Sequence, residues 1–223
     1  MQVVPILMIR NEEYVIKAVL EPLCAVFDRV LVTDTGSDDR TVEIARSFEQ
    51  VDLEQVGVQT PEQLGRLREA MGKRAQSLGY DWVWVVDGDE LYTVEALEAI
   101  LVEGMPDGKQ LGFTKMVSVE WSDGKLWQMD DYFSRAAVLP AGGKWNGVYP
   151  FEMPDAFTEP SGFHYWGGGV HGFHLHRLCR SPFDDRVYER NRKRYWYGWM
   201  IKDGPKRVKE LELLGLEATR ENV

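Results

Sequence analysis

The sequence predicts an α/β fold built on a mostly parallel, Rossmann-like central sheet with helices on its faces. Through the first hundred residues, short runs of aliphatic and β-branched residues alternate with segments of helical periodicity, and the connections are short. After about residue 110, strand-like runs follow one another directly, which adds a mixed β extension to the sheet. The length of 223 residues and the hydrophobic content of 44% suit one domain with a single core.

In the first half, strands and helices are expected in strict alternation. The strands are continuous apolar runs of the kind found in buried parallel sheets, and the helices carry apolar residues three and four positions apart. Pro22 is expected to kink or end the first helix, whereas Pro61 occupies the first turn of the third. The expected elements are strand 3–9, helix 12–27, strand 29–33, helix 41–48, strand 51–58, helix 61–78, strand 82–86 and helix 93–102.

The second half is expected to be β structure as far as about residue 140. Residues 112–119 and 125–129 flank a Ser-Asp-Gly turn signal, which predicts a hairpin, and residues 133–139 form a further strand. Glycine and tryptophan cluster between residues 142 and 172, which predicts packed irregular loops.

The charge of the chain is uneven. The formal net charge of −10 argues against a protein that coats nucleic acid. Residues 177–209, however, hold eleven Lys and Arg against four Asp and Glu, a local charge of +7, interleaved with Tyr and Trp. We expect this segment to be a basic helical tail. It is either a solvated helix whose aromatic side packs on the domain or a surface for a phosphate-bearing ligand.

No segment predicts a membrane span or a secretory signal. The longest apolar run, residues 3–9, is far shorter than the about 20 residues of a transmembrane helix, and no basic region precedes it. Cys24 and Cys179 are far apart and make no metal-ligand spacing, and Cys24 falls in an apolar helical pattern. These features predict a cytoplasmic protein with no stable membrane insertion.

Acidic residues follow three of the predicted strands. The first strand runs into Arg10-Asn11-Glu12-Glu13, and the second runs into Asp34. Behind Asp34 come Ser37, Asp38 and Asp39, for which helix capping is the leading interpretation, because short polar side chains accept from the free N–H groups of a first turn. Parallel sheets bind ligands at the carboxyl ends of their strands, so these positions are candidate site residues.

The third acidic cluster, Asp87-Gly88-Asp89-Glu90, follows the apolar strand WVWVV. Carboxylates this close repel one another unless a cation neutralises them. Mg²⁺ or Mn²⁺ would do so and would also take phosphate oxygens as ligands. The alternative is a tight turn with a helix cap, in which Gly88 supplies positive φ. Asp34, expected on a neighbouring strand end, favours the metal site, in which one carboxylate of Asp87 and Asp89 faces the metal while the other holds the loop or a ribose.

All four histidines lie close together in the sequence, at His164, His171, His174 and His176. His174 and His176 are two positions apart, which in a strand puts both on one face. They would complete a divalent-metal site that the carboxylates begin. The alternative for each histidine is packing among the neighbouring aromatic residues. A zinc site from histidines alone is disfavoured, because no cysteine pairs with them.

Three segments in this order, MIRNEE, VLVTDTGSDDRTVEIA and DWVWVVDGDEL, resemble the first strand, nucleotide loop and D-x-D motif of the family 2 glycosyltransferases of the GT-A fold. The resemblance covers about residues 1–100. It implies a nucleotide-diphosphate sugar donor, with a UDP-sugar favoured, and a divalent metal, Mn²⁺ or Mg²⁺. It further implies hexosyl transfer to an acceptor hydroxyl with inversion.

The resemblance also implies roles for individual residues. Ile9 and Asp34 would hold the nucleobase and ribose, and Asp89 would be the direct metal ligand. Asp87 would lie near the ribose or the metal. The donor site is completed by further residues of the same loops and of the basic segment: Arg10, Glu13, Ser37, Gly88, Arg177 and Arg180.

In the second half the resemblance is looser. GKWNGVYPFE resembles a segment in which an acid follows a Trp-Gly loop, and HGFHLHRLCRSPFDDR resembles a late metal-binding segment with histidine. Where many family members read Val-His-Glu, this chain reads VYPFE. Glu152 is the first candidate for the catalytic base, and Asp130, Asp131 and Asp184 are alternatives.

The resemblance divides the single domain 1–223 into a nucleotide-sugar-binding half (1–105), an acceptor-side and metal half (106–176) and the basic tail (177–223). Several tryptophans are either sugar platforms or packing residues: Trp121, Trp127, Trp145 and Trp166. The sequence leaves open the acceptor, which is a glycan, small molecule, protein or modified nucleic-acid base, and the oligomeric state. Rival functions are a non-catalytic nucleotide- or sugar-binding module and a nucleotidyltransferase, although the latter usually has a Gly-rich phosphate loop that is absent here.

Overall fold

A mixed β-sheet forms the centre of the protein, with helices packed against it. The computed structural model describes residues 2–106, 111–122, 125–130, 133–146, 153–154, 163–175 and 207–211. Within these ranges the elements are β1 Val3–Ile9, α1 Ile16–Val26, β2 Val30–Asp34, α2 Thr41–Arg46, β3 Val51–Gln55, α3 Pro61–Ser77, β4 Trp82–Asp87, β5 Glu90–Tyr92, α4 Val94–Glu103, β6 Leu111–Ser122, β7 Lys125–Met129, β8 Phe133–Pro140, β9 Trp145–Asn146, β10 Met153–Pro154, β11 Phe163–Tyr165, β12 Gly172–His174 and β13 Arg207–Leu211.

The first half confirms the predicted alternation. β1 is flanked in parallel by β2 and β4, and β3 pairs in parallel with β2. The helix α3 begins at Pro61 and is capped by Thr60, whose side chain accepts from the Gln63 N–H while the Gln63 side chain accepts from the Thr60 N–H. The first helix begins at Ile16, later than expected, and continues through Pro22 to Val26.

The register of the parallel strands sets the site. Ile9 lies beside Asp34, and Met8 lies beside Asp87, so the carboxyl ends of β1, β2 and β4 share one edge. The expectation that Asp34 and Asp87 end adjacent strands is wrong, because β1 lies between them. With strands about 4.8 Å apart, the two backbones are roughly 10 Å from each other.

The second half adds the expected antiparallel strands. β6 and β7 form the predicted hairpin, and β8 pairs antiparallel with both β6 and β4. The sequence did not predict the short strand β12. It lies between β5 and β6 and brings residues 172–174 beside the D-x-D turn. The longest path through the described sheet runs β13-β7-β6-β8-β4-β1-β2-β3.

The C-terminal tail departs from its prediction in the part that is described. Arg207–Leu211 is a strand paired antiparallel with β7, so the expected helix is wrong over these five residues. The edge of β7 supplies backbone hydrogen-bond partners to this segment, and a local sequence pattern does not reveal such a partner. The rest of the predicted tail, 177–206 and 212–223, lies outside the described residues.

The core on one face of the sheet is centred on Trp84, which is fully buried. The Trp166 ring stacks on it with centroids 6.2 Å apart and planes 4° apart, and Trp166 Nε1 donates to the Gly104 carbonyl at 3.2 Å. Trp166 is therefore a core residue and not an exposed sugar platform. Burial also raises the pKa of the Cys24 thiol to about 11, in keeping with its predicted place in the apolar pattern of α1.

The helices offer no membrane span. Within the described ranges, none of them combines the length and the apolar character that a bilayer crossing needs. The cytoplasmic location expected from the sequence stays a prediction.

Candidate active site at the carboxyl ends of β1, β2 and β4

Asp34 ends β2 and organises the loop that follows it. Its side chain is buried, and the residue is 1% exposed. One carboxylate oxygen accepts from the Ser37 hydroxyl at 2.5 Å and the Ser37 N–H at 3.1 Å, and the other accepts from the Gly36 N–H at 3.2 Å. Gly36 has φ +93°, and a Cβ there would lie 2.8 Å from Val58, so the turn requires glycine. The carboxylate therefore fixes this turn in one shape.

The loop after β1 is hydrogen-bonded to the loop after β2. Asn11, in the left-handed region with φ 55°, donates its N–H to Ser37 Oγ at 3.0 Å, and its side-chain oxygen accepts from the Asp38 N–H at 3.0 Å. The Asp39 side chain accepts from the Thr41 N–H at 2.9 Å, but the N-cap residue of α2 is Arg40 and the helix has no side-chain cap. The capping interpretation is therefore wrong for Ser37, Asp38 and Asp39. Ser37 and Asp38 instead join the two loops.

The residues at the end of β1 that were expected at the nucleotide differ in burial and in hydrogen bonding. Ile9 is 1% exposed, and its carbonyl oxygen accepts from both the N–H and the hydroxyl of Thr35, at 3.0 and 3.1 Å. Ile9 therefore forms the floor of the site. Arg10 is exposed at the rim. Glu13 accepts from the Arg40 N–H at 3.3 Å and donates its own N–H to Asp39.

Asp87, the first acid of the D-x-D motif, is held by a residue that was not among the predicted site residues. Its carboxylate forms a short ion pair with Arg68 of α3, whose side chain is 4% exposed. Its backbone N–H donates to the buried Glu90 carboxylate at 3.0 Å. Gly88 allows the turn to pack closely, since a Cβ there would lie 3.0 Å from Glu12 Cγ and 3.3 Å from Ile9 Cγ2.

Asp89, the second acid, lies against His174. The residue is 8% exposed, and its carboxylate is 3.6 Å from His174 Nε2. The pairing of β12 with β5 makes this contact, because His174 lies opposite Glu90, and the Leu175 N–H donates to the Asp89 carbonyl at 2.6 Å. Burial opposes a charge on the imidazole. The Asp89 carboxylate, followed by Glu90 and Asp87, outweighs burial and raises the pKa of His174.

Asp89 and His174 are the described side chains best suited to hold a divalent metal. Among the residues that the structure describes, no group of three or more His, Cys, Asp or Glu side chains is arranged to hold a metal ion. One carboxylate and one imidazole are nevertheless a fitting donor set for Mn²⁺, and a hard cation at a nucleotide site usually takes its other ligands from phosphate and water. The residues present therefore fit a metal shared with a diphosphate and not a closed protein cage.

Two other histidines have structural partners. His171 is buried, its Nδ1 accepts from the Lys115 N–H at 2.8 Å, and its Nε2 lies 3.0 Å from the Gly167 carbonyl oxygen. His164 lies 3.4 Å from Glu103 and against the Trp166 ring. Of the three described histidines, His174 is therefore the one that faces the D-x-D carboxylates.

Arg68, although not predicted, left a signal in the sequence. It lies on the buried face of α3, which also carries Gly65, Met71, Gly72 and Ala75, and a charge on such a face needs a partner. The Trp145 ring covers the guanidinium at 5.8 Å, and the neighbouring Glu69 accepts from the Trp145 N–H at 3.2 Å. Lys73 together with this N–H lowers the pKa of Glu69.

Part of the predicted site lies outside the described residues. Asp130 is described and is exposed just beyond the end of β7. The positions of the predicted site that are not described are the first base candidate, two alternative bases, one metal candidate and two basic donor candidates: Glu152, Asp131, Asp184, His176, Arg177 and Arg180. Their roles stay predictions.

Comparison with known proteins identifies the family. The family described as Glycosyl transferase family 2 matches residues 6–170, which include all three acidic loops. The chain belongs to glycosyl transferase family 2. Among curated proteins the comparison finds no match.

Solved structures show that this family 2 chain has the GT-A fold. S. aureus TarS 1-349 in complex with UDP-GlcNAc superposes with a TM-score of 0.56 at 17% identity, over 86% of this chain and 65% of that one. A second crystal structure of S. aureus TarS 1-349 gives a TM-score of 0.55 at 16% identity, over 78% of this chain and 60% of that one. The complex of TarS 1-349 with UDP gives 0.51 at 15%, again over 78% and 60%. This family 2 chain thus spans less than two thirds of the length of these TarS chains.

Proposed function

We propose that the protein transfers a hexosyl group from a nucleotide-diphosphate sugar to an acceptor hydroxyl, with inversion at the anomeric carbon. One observation carries the proposal. In a chain of glycosyl transferase family 2, the Asp34 turn, the Asp87-Gly88-Asp89 turn and His174 meet at the carboxyl edge of the parallel strands. That edge is where α/β sheets bind nucleotides.

The donor would lie across β1, between the two acidic turns. The rigid Asp34 loop would face the nucleoside, and the Ile9 floor would support it. Asp34 and Asp87 flank β1 at roughly the 10 Å spacing of alternate strands. A uridine diphosphate is the favoured donor nucleotide, and the TarS complexes of the same fold contain UDP and UDP-GlcNAc.

Asp89 and His174 would hold Mn²⁺ or Mg²⁺ at the diphosphate. When bound, such a cation supplies positive charge to the departing diphosphate. A carboxylate of the chain would remove the proton from the acceptor hydroxyl as its oxygen attacks the anomeric carbon, and the nucleoside diphosphate would leave from the opposite face. Glu152 is proposed for this base, with Asp130 and Asp131 as alternatives. Arg177 and Arg180 are proposed to neutralise the diphosphate.

The experiment is a thermal unfolding series with UDP, GDP, CDP, dTDP and ADP, each with and without Mn²⁺. A nucleotide at one hundred times its Kd adds about 2.7 kcal/mol, which raises Tm by roughly 5–11 °C in a chain of this size. We expect one nucleotide, UDP first, to give this shift only with Mn²⁺. We expect Asp89→Asn to lose the shift, because the carboxylate oxygen that meets the cation is replaced by a neutral amide.

Asp38→Asn is the matched control, since Asp38 is exposed on the neighbouring loop and only its N–H bonds to Asn11. It should keep the full shift. A nucleotide-induced rise in Tm that is the same without Mn²⁺ and in Asp89→Asn would contradict the metal role while leaving nucleotide binding in place. No shift with any nucleotide would contradict the donor site and favour a binding module of another specificity.

A further inference from the structure

Arg68 is a buried cation that bridges the two halves of the protein. It projects from the inner face of α3, the residue is 3% exposed, and its guanidinium pairs with Asp87 at the end of β4. Trp145 of β9 lies over the same guanidinium, with 5.8 Å from the Arg68 Cζ to the ring centroid. The Arg68 side chain thus holds both the end of β4, through Asp87, and Trp145, which follows the antiparallel strands.

The residue next to Arg68 strengthens this bridge. Glu69 accepts from the Trp145 backbone N–H at 3.2 Å and also forms an ion pair with Lys73. The Gly142 N–H, three residues before Trp145, donates to the Gly72 carbonyl on the same helix at 3.1 Å. These contacts keep the Trp145 ring in place over Arg68. The ring shields the guanidinium from water, which strengthens its attraction to Asp87.

We propose that Arg68 is a positioning residue that withholds Asp87 from the metal and leaves Asp89 with His174 as the protein ligands. The inference rests on the proposed function and assigns a role within the same site. The carboxylate of Asp87 is engaged by the guanidinium, whereas that of Asp89 faces the imidazole of His174. The Asp87–Arg68 pair is neutral as a whole, so it orders the turn without adding negative charge.

This arrangement predicts opposite effects for the two partners on Mn²⁺ affinity. Arg68→Met removes a positive charge near the divalent cation and ends the ion pair with Asp87, so the protein should bind Mn²⁺ more tightly, by about fivefold. Asp87→Asn removes a negative charge near the cation and should weaken binding by about the same factor. The double variant restores a neutral pair and should return to the affinity of the wild type. Asp89→Asn should bind no Mn²⁺.

The test is titration of Mn²⁺ into the full chain, first alone and then with UDP at a fixed concentration against a UDP blank, followed by the electron paramagnetic resonance signal of free Mn²⁺. Arg68→Lys keeps the charge and should stay within about twofold of the wild type. Arg66→Met is the matched control, because Arg66 is exposed on the same helix. A purely structural role would make Arg68→Met weaken binding. If Arg68→Met does not fold, Asp87→Asn and the neutral double variant still decide the question.

The outcomes separate this inference from the proposed function. A wild type that binds Mn²⁺, with binding lost in Asp89→Asn and Asp87→Asn alike, would make Asp87 a ligand and overturn the role of Arg68 alone. A double variant as weak as Asp87→Asn would do the same. A wild type that binds no Mn²⁺, either alone or with UDP, would overturn both the metal centre and this inference.

Discussion

Asp34→Ala is expected to abolish nucleotide binding while the rest of the sheet stays folded. The substitution removes a buried carboxylate that accepts from the Gly36 N–H and from both the N–H and the hydroxyl of Ser37. These donors would lose their acceptor, and an unsatisfied buried group costs about 1–3 kcal/mol. The Asp34 turn also holds the loop after β1 through Asn11 and Ser37, so the nucleoside side of the site would lose its shape.

Two measurements check this expectation. The thermal shift with UDP and Mn²⁺ should disappear, and Tm without ligand should fall by roughly 4–12 °C, in line with a loss of about 2–3 kcal/mol. Ser37→Ala, which removes a single hydroxyl from the same turn, should cost about 1 kcal/mol and retain weakened binding. Full nucleotide binding by Asp34→Ala would show that the turn does not contact the donor.

Gly112→Ala is expected to be the most destabilising single change outside the site. A Cβ at Gly112 in β6 would lie 2.1 Å from Cη2 of Trp166 and 3.1 Å from Cβ of Val138. A rigid indole cannot yield without leaving its stack on Trp84 and its hydrogen bond to Gly104. Loss of a buried tryptophan contact of this kind costs about 3–5 kcal/mol, which lowers Tm by roughly 6–20 °C.

Gly169→Ala is the control for Gly112→Ala. It lies in the loop after Trp166, and a Cβ at Gly169 meets no other atom within 4 Å. Urea unfolding should give the same midpoint for Gly169→Ala as for the wild type. A Gly112→Ala midpoint that also matched the wild type would mean that Trp166 does not occupy this position in solution.

The sequence alone was sufficient for the parallel half of the fold. The helix predicted at 61–78 is Pro61–Ser77, and the strand predicted at 82–86 is Trp82–Asp87. Apolar periodicity and capping residues are local signals, so they need no knowledge of distant partners. The carboxyl-edge rule for parallel strands then assigns Asp34 and Asp89 to the same edge of the sheet.

Tertiary structure alone decided which partner each site residue has. Asp87 and Asp89 are two positions apart in the sequence, yet one pairs with Arg68 and the other lies against His174. The sequence proposed His174 and His176 as metal ligands from their spacing alone. The insertion of β12 between β5 and β6 is what brings His174 against the carboxylates, whereas His171 bonds the Lys115 backbone. Local periodicity fixes which face of an element is buried. The group that lies opposite that face depends on contacts between distant segments, and those exist only once the chain has folded.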